Sequence, residues 1–150
     1  MDSAPERPAE ESLPPPGGAA VEYTSSLKGV GPEHLVGFFE GWPSPPSAER
    51  HLEILTGSSE VIMAVRSGTI VGFVTAVTDG VLAAYIPLLE VRRDERGRGI
   101  GSELVSRMLA RLGSFYMVDV VCDADLLPFY ERLGMTAYTG AIRRNHSALT

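Results

Sequence analysis

Residues 93–105 of the chain read RDERGRGIGSELV. Glycine occupies alternate positions at Gly97, Gly99 and Gly101, directly before a run with helical character. Glycine loses more backbone freedom on folding than any other residue, so alternating glycines are unfavourable in an ordinary turn. Their usual benefit is that another molecule can approach the bare backbone closely. The stretch therefore predicts a binding loop at the start of a helix.

An anion is the ligand that suits such a loop. The unpaired N–H groups at a helix N-terminus point outward, and the helix dipole favours negative charge there. Arg96 and Arg98 flank the first glycines and can pair with phosphate. The residue order excludes a P-loop, which needs Gly-x-x-x-x-Gly-Lys followed by Ser or Thr. It also excludes the dinucleotide fingerprint Gly-x-Gly-x-x-Gly, because the third glycine position falls on Ser102 or Leu104.

Two helices are predicted in the N-terminal part, after a short strand that begins at Val21. In GPEHLVGFFEGW, residues 31–42, Pro32 favours a helix start. This first helix would place three apolar residues on one side, namely Leu35, Phe38 and Phe39. In SAERHLEILTGS, residues 47–58, Ser47 predicts the N-cap of the second helix and Gly57 its end.

Three consecutive antiparallel strands follow, at roughly 60–66, 69–78 and 81–91. Their sequence is β-branched and apolar, and tight turns at Ser67-Gly68 and Asp79-Gly80 interrupt it. Asp-Gly between two apolar runs is a strong hairpin signal. The glycine loop therefore follows a strand of an antiparallel meander, not the first strand of a parallel unit.

Beyond the loop, apolar residues at helical spacing predict a helix that stops at Gly113. SFYMVDVVC, residues 114–122, is predicted to be a buried strand. A short helix is predicted within DLLPFYERLGM, residues 125–135, and a last strand in TAYTGAIRR, residues 136–144. This order of elements indicates a fold of the α/β (α+β) class.

Composition restricts the kinds of partner and compartment. We expect residues 1–20, rich in Pro, Glu, Ala and Gly, to form a disordered tail and residues 21–150 to form a single domain. The net charge of −6 argues against nucleic acid as a partner. No run approaches the ~18 apolar residues of a membrane span, and no secretory signal is visible. A lone cysteine, Cys122, excludes an internal disulfide and favours a cytoplasmic location.

Two strings in the sequence resemble the GNAT superfamily of acyl-CoA-dependent N-acetyltransferases. Arg96-Gly97-Arg98-Gly99-Ile100-Gly101 is similar to that family's Arg/Gln-x-x-Gly-x-Gly/Ala signature. PFYERLGM, residues 128–135, is similar to its Phe-Tyr-Glu-x-Leu-Gly-Phe segment. The chain looks especially like uncharacterised bacterial members, over roughly residues 22–144. The resemblance implies a mixed, mostly antiparallel sheet splayed in a V, with helices on both faces.

The resemblance also implies a site for acetyl-CoA, used as a co-substrate without a metal ion. Backbone amides from Arg96 to Ser102 would hold the pyrophosphate, through Arg96, Gly97, Arg98, Gly99, Ile100, Gly101 and Ser102. The pantetheine amides would bond to the splayed strand end, at Leu89, Glu90 and Val91. Phe129 belongs to the same implied set. Asp123 stands where many members have an Asn that touches pantetheine, and a carboxylate cannot donate that hydrogen bond. The alternative role for Asp123 is to cap the following helix.

Tyr130 matches the family's usual general acid, which would protonate the departing thiolate. The alternative is that Phe129 and Tyr130 are simply a packed aromatic pair. Glu90 is the candidate general base for the attacking amine, and its alternative is a structural carboxylate at a strand end. Asp119 and a water chain to solvent are other candidates for that role.

The implied function is transfer of an acetyl group to a primary amine of a small molecule or peptide, by direct attack. The alternative is a non-catalytic acyl-CoA-binding sensor or scaffold. The acceptor itself is unidentified, although Trp42 and its Pro-rich turn could border the acceptor pocket, because the N-terminal helices usually do so in this family. His34, His51 and His146 show no metal-ligand spacing. We expect no nucleic-acid or membrane partner, and a homodimer is left open.

Overall fold

The computed structural model describes residues 19–149, which form one five-stranded sheet with helices on both faces. The strands are β1 (Val21–Thr24), β2 (Glu60–Arg66), β3 (Thr69–Thr78), β4 (Ala83–Val91) and β5 (Met117–Val120). The helices are α1 (Ala48–Gly57), α2 (Ile100–Arg111) and α3 (Leu127–Arg132). No helix in this part of the chain has the length and apolar character needed to cross a membrane.

The strands lie side by side in chain order, β1-β2-β3-β4-β5. The first three pairings are antiparallel, and the last, between β4 and β5, is parallel because α2 crosses over between them. The predicted class, a mixed and mostly antiparallel sheet, is confirmed.

Each face of the sheet has its own core. On one face, α2 buries Leu104 and Met108 completely against apolar side chains of β2, β3 and β4. On the other, Leu55 of α1 packs with Met63 and Phe73 of the sheet. Ser47 caps α1 as predicted, its Oγ accepting a hydrogen bond from the Arg50 amide at 3.2 Å. Because both faces are covered, β3 is apolar almost throughout and does not alternate.

The prediction of a first N-terminal helix within residues 31–42 is wrong. Only a 3₁₀ turn at Pro32–His34 forms, and the chain then bends, with positive φ angles at Gly37, Phe39 and Gly41. Phe39 has a φ of 60°, which a non-glycine residue adopts only when its surroundings favour it. Its ring is buried and packs edge-on against His51 and Trp42. These long-range aromatic contacts outweigh the helical spacing of the apolar residues.

The remaining strand predictions need three corrections. β4 begins at Ala83, not at residue 81, because Asp79 accepts hydrogen bonds from the amides of residues 81–83 and widens the turn. β5 is shorter than predicted and half-exposed, since it is an edge strand. Residues 136–144, predicted to be the last strand, form no strand and stay exposed. The tail predicted at residues 1–20 lies almost entirely outside the described residues.

Candidate functional site

The glycine loop presents a row of free amides at the start of α2. Gly97 and Gly99 have φ angles of +76° and +80°, in the left-handed region that glycine tolerates best, and Gly99 is the N-cap residue of α2. Within the described residues, no hydrogen bond uses the amides of residues 97–102. A Cβ added at Gly97 or Gly99 would meet nothing within 4 Å. The loop is therefore open to a ligand on its backbone side, and its free N–H groups suit an anion.

Ion pairs anchor this loop to the sheet. Glu95, in the 3₁₀ turn before the glycines, pairs with Arg66 of β2 at 3.1 Å, and both side chains are largely buried. Arg98 lies 3.8 Å from the same carboxylate and is more exposed. Arg96 is also exposed, and its Nε donates to the Val91 carbonyl at 3.1 Å. Both arginines therefore place positive charge beside the free amides.

The strands β4 and β5 separate next to this loop. Their pairing ends at Ile86 and Val120, although β4 continues to Val91. A β-bulge lies at the same point, where Ile86 and Pro87 of β4 both face Ala76 of β3. Proline has no N–H, so Pro87 can donate to neither neighbouring strand. The predicted splay therefore begins at Pro87, and it leaves the edge of β4 that contains Leu89, Glu90 and Val91 without a strand partner on the β5 side.

Glu90 joins the splayed strand to the N-terminal bend. Its Oε2 accepts a hydrogen bond from the Phe39 amide at 2.8 Å. Burial raises the pKa of Glu90 above its ordinary value, and the Phe39 hydrogen bond and the Arg96 charge partly oppose this. No hydrogen bond of a described residue reaches the other oxygen, Oε1. Glu90 therefore holds the N-terminal bend through Oε2, while Oε1 has no hydrogen-bond partner among the described residues.

Tyr130 lies on α3 near the point where β5 ends. Only 6% of the residue is exposed, and burial raises the pKa of its phenol to about 12, with a smaller effect from the nearby Cys122. Its ring packs edge-on against Phe129 at 4.9 Å between centroids, so the predicted aromatic pair does form. The Tyr130 hydroxyl nevertheless has no hydrogen-bond partner among residues 19–149.

Phe129 connects α3 to the glycine loop. A Cβ at Gly101 would lie 3.8 Å from the Phe129 ring and 3.7 Å from the Val91 side chain. The start of α2, the end of β4 and the start of α3 therefore meet at Gly101. Ile100, by contrast, is buried in the core beneath α2, so only its backbone faces the loop.

Three further residues singled out from the sequence are Asp123, Asp119 and Cys122. Asp123 occupies the position before a 3₁₀ turn at Ala124–Leu126, but its side chain makes no capping hydrogen bond. Asp119 is exposed on β5 and is paired in register with Tyr85, within the part of the sheet that does not splay. Burial and two neighbouring aspartates raise the pKa of the Cys122 thiol, which opposes thiolate formation.

A cavity of about 650 Å³ lies beside the splayed end of β4. The N-terminal bend forms one wall, with Trp42, Pro45 and the backbone around Phe39. The other wall comes from Arg92, Arg93 and Asp94, directly before the glycine loop. Sequence reasoning pointed to Trp42 but missed these charged residues, because the Arg93–Glu40 ion pair that closes the rim joins residues far apart in the chain.

Comparison with known proteins decides the family. The model of the acetyltransferase (GNAT) family matches residues 27–135. The chain belongs to the GNAT family. None of the curated proteins compared with this GNAT chain matches it in sequence.

Solved structures agree with this assignment. The GNAT chain is 46% identical to a putative acetyltransferase from Deinococcus radiodurans, with a TM-score of 0.82, over 85% of this chain and 90% of that one. Glucosamine-6-phosphate N-acetyltransferase from Arabidopsis thaliana is 15% identical, with a TM-score of 0.64 over 85% and 99% of the chains. An aminoglycoside N-acetyltransferase in complex with CoA is 17% identical, with a TM-score of 0.64 over 87% and 97%. The last two show the shared fold.

Proposed function

We propose that this GNAT protein transfers an acetyl group from acetyl-CoA to a primary amine by direct attack. The observation that carries the proposal is the meeting of three elements at Gly101: free amides at the start of α2, an unpaired edge of β4, and the helix that contains Tyr130. A pyrophosphate fits the first, the amide-rich pantetheine arm fits the second, and the thioester would then lie near the third.

The anionic end of acetyl-CoA would bind to the amides of residues 97–102. The helix dipole of α2 and the exposed charge of Arg98 add attraction for phosphate. The pantetheine arm would extend along β4 from Val91 to Leu89 like an added strand. Phe129 would pack beside it, because its ring already lies next to Gly101 and Val91.

The amine would approach from the cavity lined by Trp42, Arg93 and Asp94. Its nitrogen attacks the thioester carbon, and the C–S bond breaks as the C–N bond forms. Glu90 Oε1 is suited to take the proton that the nitrogen loses, since this half-buried carboxylate is bonded through Oε2 to the amide of Phe39, a residue that lines the cavity. A backbone amide in the splay can stabilise the charge on the carbonyl oxygen.

We assign Tyr130 as the general acid that protonates the leaving thiolate of CoA. A phenol with a pKa of about 12 stays neutral at physiological pH and keeps its proton available for donation. The burial that raises this pKa also disfavours a free thiolate, so the hydrogen bond strengthens as charge grows on sulfur. The hydroxyl is free to make this bond, because no described residue occupies it.

The experiment is a panel of amines and peptides incubated with acetyl-CoA and read by release of free thiol. We expect at least one amine to be acetylated. Tyr130→Phe should then lower kcat by about 10²-fold or more while the Kd for acetyl-CoA stays the same. Tyr23→Phe is the matched control, since Tyr23 lies on β1 at the opposite edge of the sheet.

Two outcomes contradict parts of the proposal. Equal kcat values for Tyr130→Phe and the wild type would leave Tyr130 as a packing residue. Tight binding of acetyl-CoA without acetylation of any amine in the panel would favour a non-catalytic sensor.

A further inference from the structure

Arg92 lines the cavity beside the N-terminal bend and continues β4 by one residue, because its amide donates to the Val71 carbonyl of β3 at 2.8 Å. Side chains two residues apart on a strand share a face, which places Arg92 on the same face of β4 as Glu90. The contacts agree, since Glu90 bonds to the Phe39 amide of the bend. A Cβ added at Gly37, in the same bend, would lie 3.7 Å from Arg92 Nε. A carboxylate and a guanidinium therefore face one bend, two positions apart.

The Arg92 side chain is partly buried, but the terminal part of its guanidinium is unused. Its exposed fraction is 32%, and its ion pair runs from Nε to Asp94 at 3.4 Å. Asp94 is 69% exposed, so water weakens this pair. Nη1 and Nη2 donate no hydrogen bond to any residue among 19–149. A guanidinium fork binds a carboxylate or phosphate through two parallel hydrogen bonds, so this end of Arg92 is suited to an anionic group.

Backbone amides of the bend add further donors to the cavity wall. The Phe39 amide donates to Glu90, and the Trp42 amide donates to the Phe39 carbonyl at 3.2 Å. The amides of residues 38, 40 and 41 have no acceptor among the described residues. These three residues also line the cavity. Free backbone N–H groups in a concave loop favour an anion, as the fork of Arg92 does.

The cavity wall, as far as residues 19–149 form it, carries both signs of charge in equal number. Arg92 and Arg93 are its cations, and Glu40 and Asp94 are its anions. A molecule with positive charges alone would meet two guanidinium groups, and one with negative charges alone would meet two carboxylates. A molecule with one amine and one anionic group matches this wall best. Its amine would lie toward Glu90 and its anionic group toward Arg92.

We propose that the acceptor is a small zwitterion, an amine with a carboxylate or phosphate a few bonds away, and that Arg92 sets this specificity by binding the anionic group. The inference rests on the proposed acetyl transfer, because it names the acceptor of that reaction. Two residues of a strand span roughly 7 Å, so Glu90 and Arg92 can reach both groups of one small molecule. A lysine within a protein has no free carboxylate beside its amine and would leave Arg92 unused.

Comparison of zwitterions with partners that lack the anionic group tests the inference. The panel contains the proteinogenic L-amino acids, each with its own carboxamide, and 2-aminoethyl phosphate with ethanolamine. Release of free thiol from acetyl-CoA gives kcat/KM for each compound. We expect at least one zwitterion to exceed its partner about tenfold or more, because the partner loses hydrogen bonds between charged groups. The carboxamide has the less protonated amine, so this preference would oppose intrinsic reactivity, and the last pair distinguishes phosphate from carboxylate.

Arg92→Gln removes the charge and the fork, and it should lower the ratio of zwitterion to partner at least about tenfold. Loss of stability alone lowers both rates and leaves this ratio unchanged. Arg50→Gln is the matched control, because Arg50 is an exposed arginine of α1 that pairs with Glu53 outside the cavity. It should keep the wild-type ratio. The wild-type comparison needs no variant and therefore decides the question even if Arg92→Gln does not fold.

Fluorescence of Trp42 separates this inference from the proposed reaction. Trp42 is the one tryptophan of the chain and lines the cavity, so its emission reports an occupied site without turnover. Zwitterions that bind at least about tenfold tighter than their partners but are never acetylated would refute the reaction and support the anion site. Equal kcat/KM values for every pair, or a ratio that Arg92→Gln leaves unchanged, would overturn the inference while acetyl transfer stands. Absence of both binding and acetylation across the panel would overturn both.

Discussion

Replacing Gly99 with alanine tests the anion-binding loop most directly. The φ of +80° at Gly99 lies where a Cβ is disfavoured, yet an added Cβ would meet no other atom within 4 Å. The damage to the free protein is therefore backbone strain alone, about 1–2 kcal/mol. For a domain of this size, each kcal/mol should lower Tm by roughly 3–6 °C.

The effect on binding should be larger than this strain explains. The new methyl group would occupy the open space through which a phosphate reaches the free amides. Loss of one hydrogen bond to a charged group costs about 1.5–3 kcal/mol. The Kd for acetyl-CoA should therefore rise by roughly ten- to a hundredfold, as measured by calorimetric titration.

Gly80→Ala is the matched control. Gly80 has a φ of +78° and equally empty surroundings, but it lies in the loop between β3 and β4. The Tm of this variant should fall by the same amount as that of Gly99→Ala, and its Kd for acetyl-CoA should equal that of the wild type. A wild-type Kd in Gly99→Ala would refute the assignment of this loop to phosphate, and equal Kd increases in both variants would show general destabilisation instead.

Three further predictions concern buried groups. Since burial raises the pKa of Glu90, wild-type kcat/KM should rise with pH as Glu90 loses its proton, and Glu90→Gln should abolish this limb of the pH profile. Leu104→Ala, at a fully buried side chain, should lower the free energy of unfolding by about 2–5 kcal/mol in urea titrations. Burial lowers the pKa of His51 to about 4, so the folded state binds fewer protons than the unfolded state, and stability should fall as pH drops from about 6.5 to 4. The loss should approach roughly 3 kcal/mol and be absent from His51→Phe.

The meander and the glycine loop could be predicted from sequence because their signals are local. Ser67-Gly68 and Asp79-Gly80 mark the turns, and the run from Leu104 marks the helix that follows the loop. The bend around Phe39 could not be predicted in the same way. Its apolar spacing imitates a helix, and contacts with His51 and Phe73, distant in sequence, determine its true conformation.

The site could be predicted only in part, for a related reason. The motif located the loop and Tyr130, but the bond from Phe39 to Glu90 and the cavity wall at Arg92 depend on how separate segments meet. The segment around Tyr138 shows the converse. Its strand-like alternation is clear in the sequence, yet residues 136–144 form no strand, because a local pattern does not supply a neighbouring strand to pair with.

Pro87 writes the separation of β4 and β5 into the sequence of the strand itself. A residue without an N–H cannot donate to the ladder, and it stands directly after Ile86, where the pairing with β5 ends. The separation of the strands is part of the folded structure, so a ligand that enters between them does not have to break backbone hydrogen bonds between β4 and β5. Affinity is therefore not reduced by an opening step, and the rate of association should not depend on prior separation of the strands.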